Sequence, residues 1–253
     1  MSFAEQFKGR VVAITGAASG IGYATAQLLA SRGSNLSLAD LSDDGLKRAA
    51  NEIQSKCKAE IFTYVLDVRD GAQVEEWIKQ TVQRFGKLDG AANMAGQDIE
   101  ECRSEWEFML GVNVMGVVYC LRAQLKHLEQ GRSIVNAGSI AGLIGRPKLS
   151  SYAASKHGVL GLTKSAAKEV GARGIRVNVI CSGRINTPMS GAAQKVAQGV
   201  GGAGSRDTET ISGVALGREG QPEEVAKLIA FLLSDEASYI TGASYSIDGG
   251  WNC

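Results

Sequence analysis

Four side chains are spaced for moving a proton to or from an oxygen. The stretch "SSYAASKHG" (150–158) sets Tyr152 and Lys156 four residues apart, with only small residues between them. On a helix, positions i and i+4 share a face, so the ammonium stands beside the phenol. A free tyrosine titrates near pH ~10, too high for a good base at neutrality. A neighbouring cation favours the phenolate. A shift of ~2–3 units corresponds to about 3–4 kcal/mol of interaction, feasible in a partly dry cleft. Ser139, thirteen residues before Tyr152, ends the apolar run "RSIVNAGS" and offers a hydroxyl to a substrate oxygen. Asn113, in "GVNVMG", is a polar residue in an apolar helical zone. Its amide can hold backbone open or position a water near Lys156. Taken alone, "SSYAASKHG" reads better as the amphipathic start of a helix with a solvated lysine. The segments upstream change that balance.

"TGAASGIG" (15–22) follows a strand-like run and opens a helix-like one. Gly16, Gly20 and Gly22 stand where the chain must turn sharply and let a pyrophosphate approach the backbone. Ser19 and Ile21 complete that turn. The helix start beyond it supplies free N–H groups and a positive dipole end. In this strand–turn–helix setting a glycine trio is a strong dinucleotide signal. Asp40 ends the next strand, about 20 residues on, where a carboxylate can accept from a ribose diol. It would repel a 2′-phosphate, and its neighbours Leu41, Ala17 and Ala18 bring no cation. NAD is therefore expected rather than NADP, and its nicotinamide would add a second positive charge near Tyr152. Asp67 is placed to bond the adenine amino group and Val68 to pack on the ring. Asn93, Ala95 and Gly96, in "NMAG", approach the nucleotide from the other side.

The elements that must position these groups alternate regularly. Strands are expected at 10–16, 35–40, 60–68, 132–139, 175–183 and 243–248, and 88–96 is expected to start as strand and end in a loop. Helices are expected at 22–33, 43–56, 71–86, 104–130, 152–171 and 222–235. Alternation of this kind makes parallel strands with right-handed crossovers, an α/β doubly wound sheet. The strands are continuous apolar runs, as expected where both faces are covered. Residues 1–253 read as one dinucleotide-binding and catalytic domain. Only 186–221 breaks the rhythm. Its "GVGGAGS" core holds no rigid element cheaply, so it is expected to be a mobile lid over the substrate.

Composition narrows the class further. The 253 residues carry 27 basic and 26 acidic side chains, so no basic face for nucleic acid is implied. The five cysteines, Cys57, Cys102, Cys120, Cys181 and Cys253, are dispersed and lack metal-ligand spacing. That argues for a reducing compartment, and the chain reads as cytoplasmic, with no membrane span expected. Neither His127 nor His157 is expected to bind metal or act as a base.

These motifs together resemble the classical short-chain dehydrogenase/reductase family: TGxxxGIG at 15–22, "NMAG" at 93–96, Asn113, Ser139 and YxxxK at 152–156, in order. The resemblance runs over essentially the whole chain, including the tail "YITGASYSIDGG" (239–250). It implies a Rossmann-type fold with about seven parallel strands and an Asn–Ser–Tyr–Lys tetrad. Tyr152 would be the acid/base and Ser139 would orient the substrate. Lys156 would tune the tyrosine and bind the nicotinamide ribose, and Asn113 would anchor a relay water. Gly183, Ile185 and Thr187 match the segment that holds the nicotinamide carboxamide. Homotetramers or homodimers pairing the helices at 104–130 and 152–171 are implied too. Two positions depart from the family pattern. Met94 stands where Asn is usual, and Ser182 where Pro is usual.

The expected reaction interconverts a secondary alcohol and a ketone. Met94, Gln97, Leu143 and Met189 are candidate substrate contacts. The small, apolar "IAGLIGRP" (140–147) favours a bulky hydrophobic alcohol, polycyclic or terpenoid-like. Arg146 and Arg184 are read mainly as solvated surface cations. The competing readings are an NADPH-dependent carbonyl or 3-oxoacyl-carrier-protein reductase, and a nucleotide-sensing protein without catalysis.

Overall fold

The computed structural model describes residues 5–97, 103–147, 149–189 and 213–253. The strands are β1 (Val11–Thr15), β2 (Asn35–Asp40), β3 (Ile61–Val65), β4 (Leu88–Asn93), β5 (Leu128–Ala137), β6 (Arg176–Ser182) and β7 (Ser244–Ile247). The helices are α1 (Gly20–Ser31), α2 (Asp43–Gln54), α3 (Gly71–Phe85), α4 (Arg103–Leu110), α5 (Gly116–His127), α6 (Ser150–Val170) and α7 (Pro222–Leu233). The seven strands form one parallel sheet in the order β3-β2-β1-β4-β5-β6-β7. The direction of winding reverses between β1 and β4. Ligands of open α/β sheets bind at such a switch point, beyond the carboxyl ends of the strands.

Register brings those ends to one level. Thr15 pairs with Asn93 and Asn93 with Asn136, so β1, β4 and β5 stop side by side. Each face of the sheet carries its own core. One packs Trp77, Ile78, Leu121 and Val159 from α3, α5 and α6. The other packs Leu29, Leu46, Ile229 and Leu233 from α1, α2 and α7. Burying each such side chain contributes about 1.5–3 kcal/mol. The helix ends are set by local chemistry. Asp70 accepts from the N–H groups of Ala72 and Gln73 at the start of α3, and Gly86 closes it at φ 79°. Gln221 and Glu224 form a reciprocal cap on α7 behind Pro222.

Two expectations are corrected. The helical zone ends at His127, and residues 128–130 begin β5, because Leu128 pairs with Leu88 as the sheet extends downward. The same zone is not one continuous α-helix. A single wider, π-type turn, Gly111–Met115, separates α4 from α5. Such turns often mark functional positions, and this one holds Asn113. The stretch 106–127 has a mean hydropathy of 1.4 and the length of a membrane span. Half of that window is buried in the fold, as in the core helix of a globular protein. Residues 190–212, most of the expected lid, lie outside the described residues.

Candidate active site

The glycine turn fits a dinucleotide. Gly16 has φ 66°, and a Cβ there would come within 2.8 Å of the Ala95 nitrogen. A Cβ on Gly22 would lie 2.1 Å from the Gly16 carbonyl oxygen. Only glycine lets β4, the turn and α1 approach this closely. Ser19 occupies the cap position of α1, yet its hydroxyl caps nothing and is exposed beside the free helix N–H groups. Gly20 has φ 54°, and its absent Cβ would meet Thr187 at 3.3 Å. The β6–α7 segment thus leans over the phosphate turn. Ile21 is partly exposed in the first turn of α1 and packs on the α1-side core.

Asp40 faces the same turn. One carboxylate oxygen accepts from Ala18 N–H at 3.1 Å and the other from Ser42 N–H at 3.0 Å. Each oxygen keeps acceptor capacity for a ribose hydroxyl. Leu41, beside it, is 68% exposed. Arg48 escaped the sequence reading. Its guanidinium reaches the Ala18 carbonyl at 3.5 Å from α2, so a cation does lie near the turn that Asp40 faces. A charged residue one helical turn into α2 carries no local signal of that role.

Asp67 lies just past β3, with its carboxylate gripped by the Arg69 guanidinium. That pairing holds its pKa below the usual carboxylate range. Val68 is 8% exposed and abuts Gly116, whose absent Cβ would meet it at 2.9 Å. Asn93 is buried. Its amide pairs with the Gln124 amide in both directions and donates to Asn136, which in turn donates to Thr163. The side chain therefore ties α5, the sheet and α6 together. Ala95 N–H donates to Thr15 Oγ1 at 3.1 Å.

Asn93 faces α5, so strand alternation turns Met94 the other way. Met94 packs on the α1- and α7-side core. Ser139 and Tyr152 lie on the α6 side of the sheet, beyond β5.

The chemical groups converge beyond β5. Ser139 is 7% exposed, and its Oγ accepts from Ala141 N–H at 3.1 Å. Its hydroxyl hydrogen remains available for a substrate oxygen. Gly142 lets this short turn rest on α6, since a Cβ there would meet the Lys156 carbonyl at 2.9 Å. Leu143 follows and packs on the α6-side core. Lys156 is 4% exposed. Its Nζ donates to the Ala137 carbonyl at 3.0 Å and lies 5.5 Å from the Tyr152 ring centre. The lysine is buried and aimed at the strand ends rather than solvated. His157 spends Nδ1 on the Ala153 carbonyl of its own helix.

Asn113 is fully buried and clamps Gln97. Its Oδ1 accepts from Gln97 N–H at 2.9 Å, and its Nδ2 donates to the Gln97 carbonyl at 3.0 Å. Nδ2 also lies 3.1 Å from Ser155 Oγ and 3.0 Å from Met109 Sδ. Gly96 sits between the two polar groups: a Cβ there would lie 3.3 Å from Asn113 Oδ1 and 3.5 Å from Lys156 Nζ. Asn113 and Lys156 thus share one corner of the site. Ser155 is a further member that spacing alone did not single out.

Gly183 N–H donates to the Ile247 carbonyl, and a Cβ on it would clash with Asp248. Ile185 is buried and pairs across to Gly220. Met189 is 41% exposed at the edge of the described residues. Two surface arginines are better placed than expected. Arg146 is half-buried, with its guanidinium 4.4 Å from the Trp251 ring centre. Arg184 is paired with Glu219.

This arrangement can hold a nicotinamide dinucleotide and exchange a proton with a substrate oxygen. Comparison with known proteins agrees in kind. A family model described as enoyl-(acyl carrier protein) reductase matches residues 16–252. The chain is 50% identical over 258 residues to the short-chain dehydrogenase/reductase aba4 of Botryotinia fuckeliana, covering 98% of this chain and 99% of that one. It is 41% identical to levodione reductase of Leifsonia aquatica, covering 97% and 95%. A crystal structure of levodione reductase superposes with a TM-score of 0.90 at 38% identity, covering 96% and 98%. Cyclohexanol dehydrogenase of an Acinetobacter strain is 36% identical, covering 97% and 96%.

Proposed function

Because the chain belongs to the short-chain dehydrogenase/reductase family, we propose that it is an NAD(H)-dependent oxidoreductase that interconverts a bulky hydrophobic secondary alcohol and its ketone. The observation that carries this reading is the buried Lys156 ammonium beside the Tyr152 ring, one helix turn along α6 and against the end of β5. Nicotinamide, when bound, supplies the hydride acceptor or donor. Tyr152 Oη takes or returns the proton at the substrate oxygen. Ser139 Oγ, already accepting from Ala141 N–H, directs its hydrogen to that same oxygen. Lys156 stabilises the phenolate by its charge. Asn113 holds Gln97 and Gly96 in place so that this corner keeps its shape.

Asp40 supports NAD as the cofactor, since its two oxygens are fixed at the ribose position by backbone donors. One observation favours the NADPH-dependent reductase instead: Arg48 near Ala18 offers a cation for a 2′-phosphate. The relative affinities for NAD⁺ and NADP⁺ decide between them. Cyclohexanol dehydrogenase, by its name, acts on a cyclic alcohol, which supports a ring-bearing substrate here, and levodione reductase, by its name, acts on levodione. The NAD preference favours oxidation in cells, where that pool is kept oxidised. Free thiols at Cys57, Cys120, Cys181 and Cys253 suit a reducing cytoplasm. Trp106, Leu110 and Met115 expose apolar surface along the α4–α5 stretch, which supports pairing of these helices in a homo-oligomer.

The test is a panel of cyclic secondary alcohols with NAD⁺ or NADP⁺, followed by reduced-nicotinamide absorbance. We expect hydride transfer with NAD⁺. Cofactor binding without transfer to any member of the panel would favour the nucleotide-sensing alternative.

A further inference from the structure

The last residues of the chain lie against the loop that joins Ser139 to Tyr152. Asp248 organises them. Its carboxylate accepts from Gly250 N–H at 3.1 Å and from Asn252 N–H at 3.0 Å, and its carbonyl from Trp251 N–H at 3.3 Å. Gly249 and Gly250 take φ of 66° and 80°. Cβ atoms on them would come within 2.7 Å of Val214 and 2.8 Å of Ala215. Leu216 N–H closes the contact by donating to the Gly249 carbonyl. The turn therefore fastens to two segments: the end of β6 through Gly183, and residues 214–216. From that base Trp251 reaches the Arg146 guanidinium, 4.4 Å from its ring centre.

Arg146 stands in the segment that leads from Ser139 to Tyr152, and that segment rests on α6 where a Cβ on Gly142 would meet the Lys156 carbonyl at 2.9 Å. A half-buried indole held by a rigid two-glycine turn is an expensive way to cover one arginine on a surface. We propose that the Trp251–Arg146 pair is the far wall of the substrate site. It would meet the end of a cyclic substrate remote from the reacting carbon and select for a flat or π-rich substituent there. The inference rests on the alcohol-dehydrogenase reading above and names a specificity determinant for it. The indole offers a large rigid face, and the cation–π contact holds that face in one orientation.

The experiment compares the parent enzyme with Trp251→Ala, Trp251→Phe and Arg146→Met, using NAD⁺ with cyclohexanol and with 4-phenylcyclohexanol. The ratio of kcat/KM for the larger over the smaller alcohol should fall about tenfold in Trp251→Ala, within the range one pocket contact supplies. The fall should reside in KM for the larger alcohol. Trp251→Phe should retain most of the ratio, and Arg146→Met should lose part of it. An unchanged ratio in Trp251→Ala, with both alcohols affected alike or not at all, would overturn the wall. If the parent oxidises neither alcohol, the functional reading fails, and the wall is then judged by calorimetry. Binding of 4-phenylcyclohexanone to the NADH-loaded protein should be about tenfold weaker in Trp251→Ala; equal or undetectable binding in both proteins overturns it.

Discussion

Asp40 accepts a hydrogen bond from the backbone N–H of Ala18, at 3.1 Å, across 22 residues of chain. This bond ties the end of β2 to the phosphate turn and fixes a carboxylate where a ribose diol would lie. Asp40→Ser should weaken NADH binding about tenfold, or about 1.4 kcal/mol. It should also raise relative affinity for NADPH, with Arg48 left to meet the 2′-phosphate. Fluorescence titration with both nucleotides measures the ratio; if the ratio does not move, Asp40 does not read the ribose.

Tyr152→Phe removes the proton carrier while leaving the ring beside Lys156. Turnover should fall by about 10²–10⁴-fold, with NADH affinity nearly intact. Lys156→Ala should lower both, because the role proposed for its buried ammonium serves the phenol and the cofactor alike. More than a tenth of parental turnover in Tyr152→Phe contradicts the acid/base assignment.

Gly16→Ala tests the close approach of β4 to the turn. Left-handed backbone costs an alanine about 1–2 kcal/mol. The contact of its Cβ with Ala95 adds about 1–3 kcal/mol of overpacking. The Tm should fall on the order of 10 °C, with dinucleotide binding lost in the protein that remains folded. A parental Tm and parental affinity would show that the turn relaxes freely.

Alkali should destabilise the fold. Burial pushes Cys120 up to about 12 and Cys181 to about 11. Burial first, then the Glu52 acceptor, pushes Tyr23 to about 12. All three are raised above their ordinary values. Their stabilising effect is therefore complete below about pH 9 and is lost as pH rises through the folded values, since the unfolded chain releases these protons first. Thermal melts at pH 8 and pH 10.5 should show a lower Tm at the higher pH. Cys120→Ala should flatten that slope. An equal Tm at both values would mean that these groups ionise alike in both states.

Much of this was legible along the chain. Strand and helix periods, the glycine turn and the acidic end of β2 are patterns within a few neighbouring residues. Each has a local physical cause, so the strand–helix order and the four chemical residues emerged from types and spacing. What the chain did not show locally was where remote packing would hold a side chain. Asn93 ends a strand, and pairing of its amide with Gln124 and Asn136 buries the side chain between α5 and α6, which no neighbouring residue announces. Met94, the next residue, packs on the opposite core, a placement set by strand alternation and by helices far along the chain.

The sequence by itself determined which groups can bind a nucleotide and move a proton, because those capacities belong to side chains and short turns. Only the tertiary structure decided which of them meet. Arg48 near Ala18, Asn113 around Gln97 and Trp251 on Arg146 join residues 16 to 105 positions apart. Their meeting depends on sheet register, on a π-type turn and on two left-handed glycines, and long-range packing sets where those features bring the chain together.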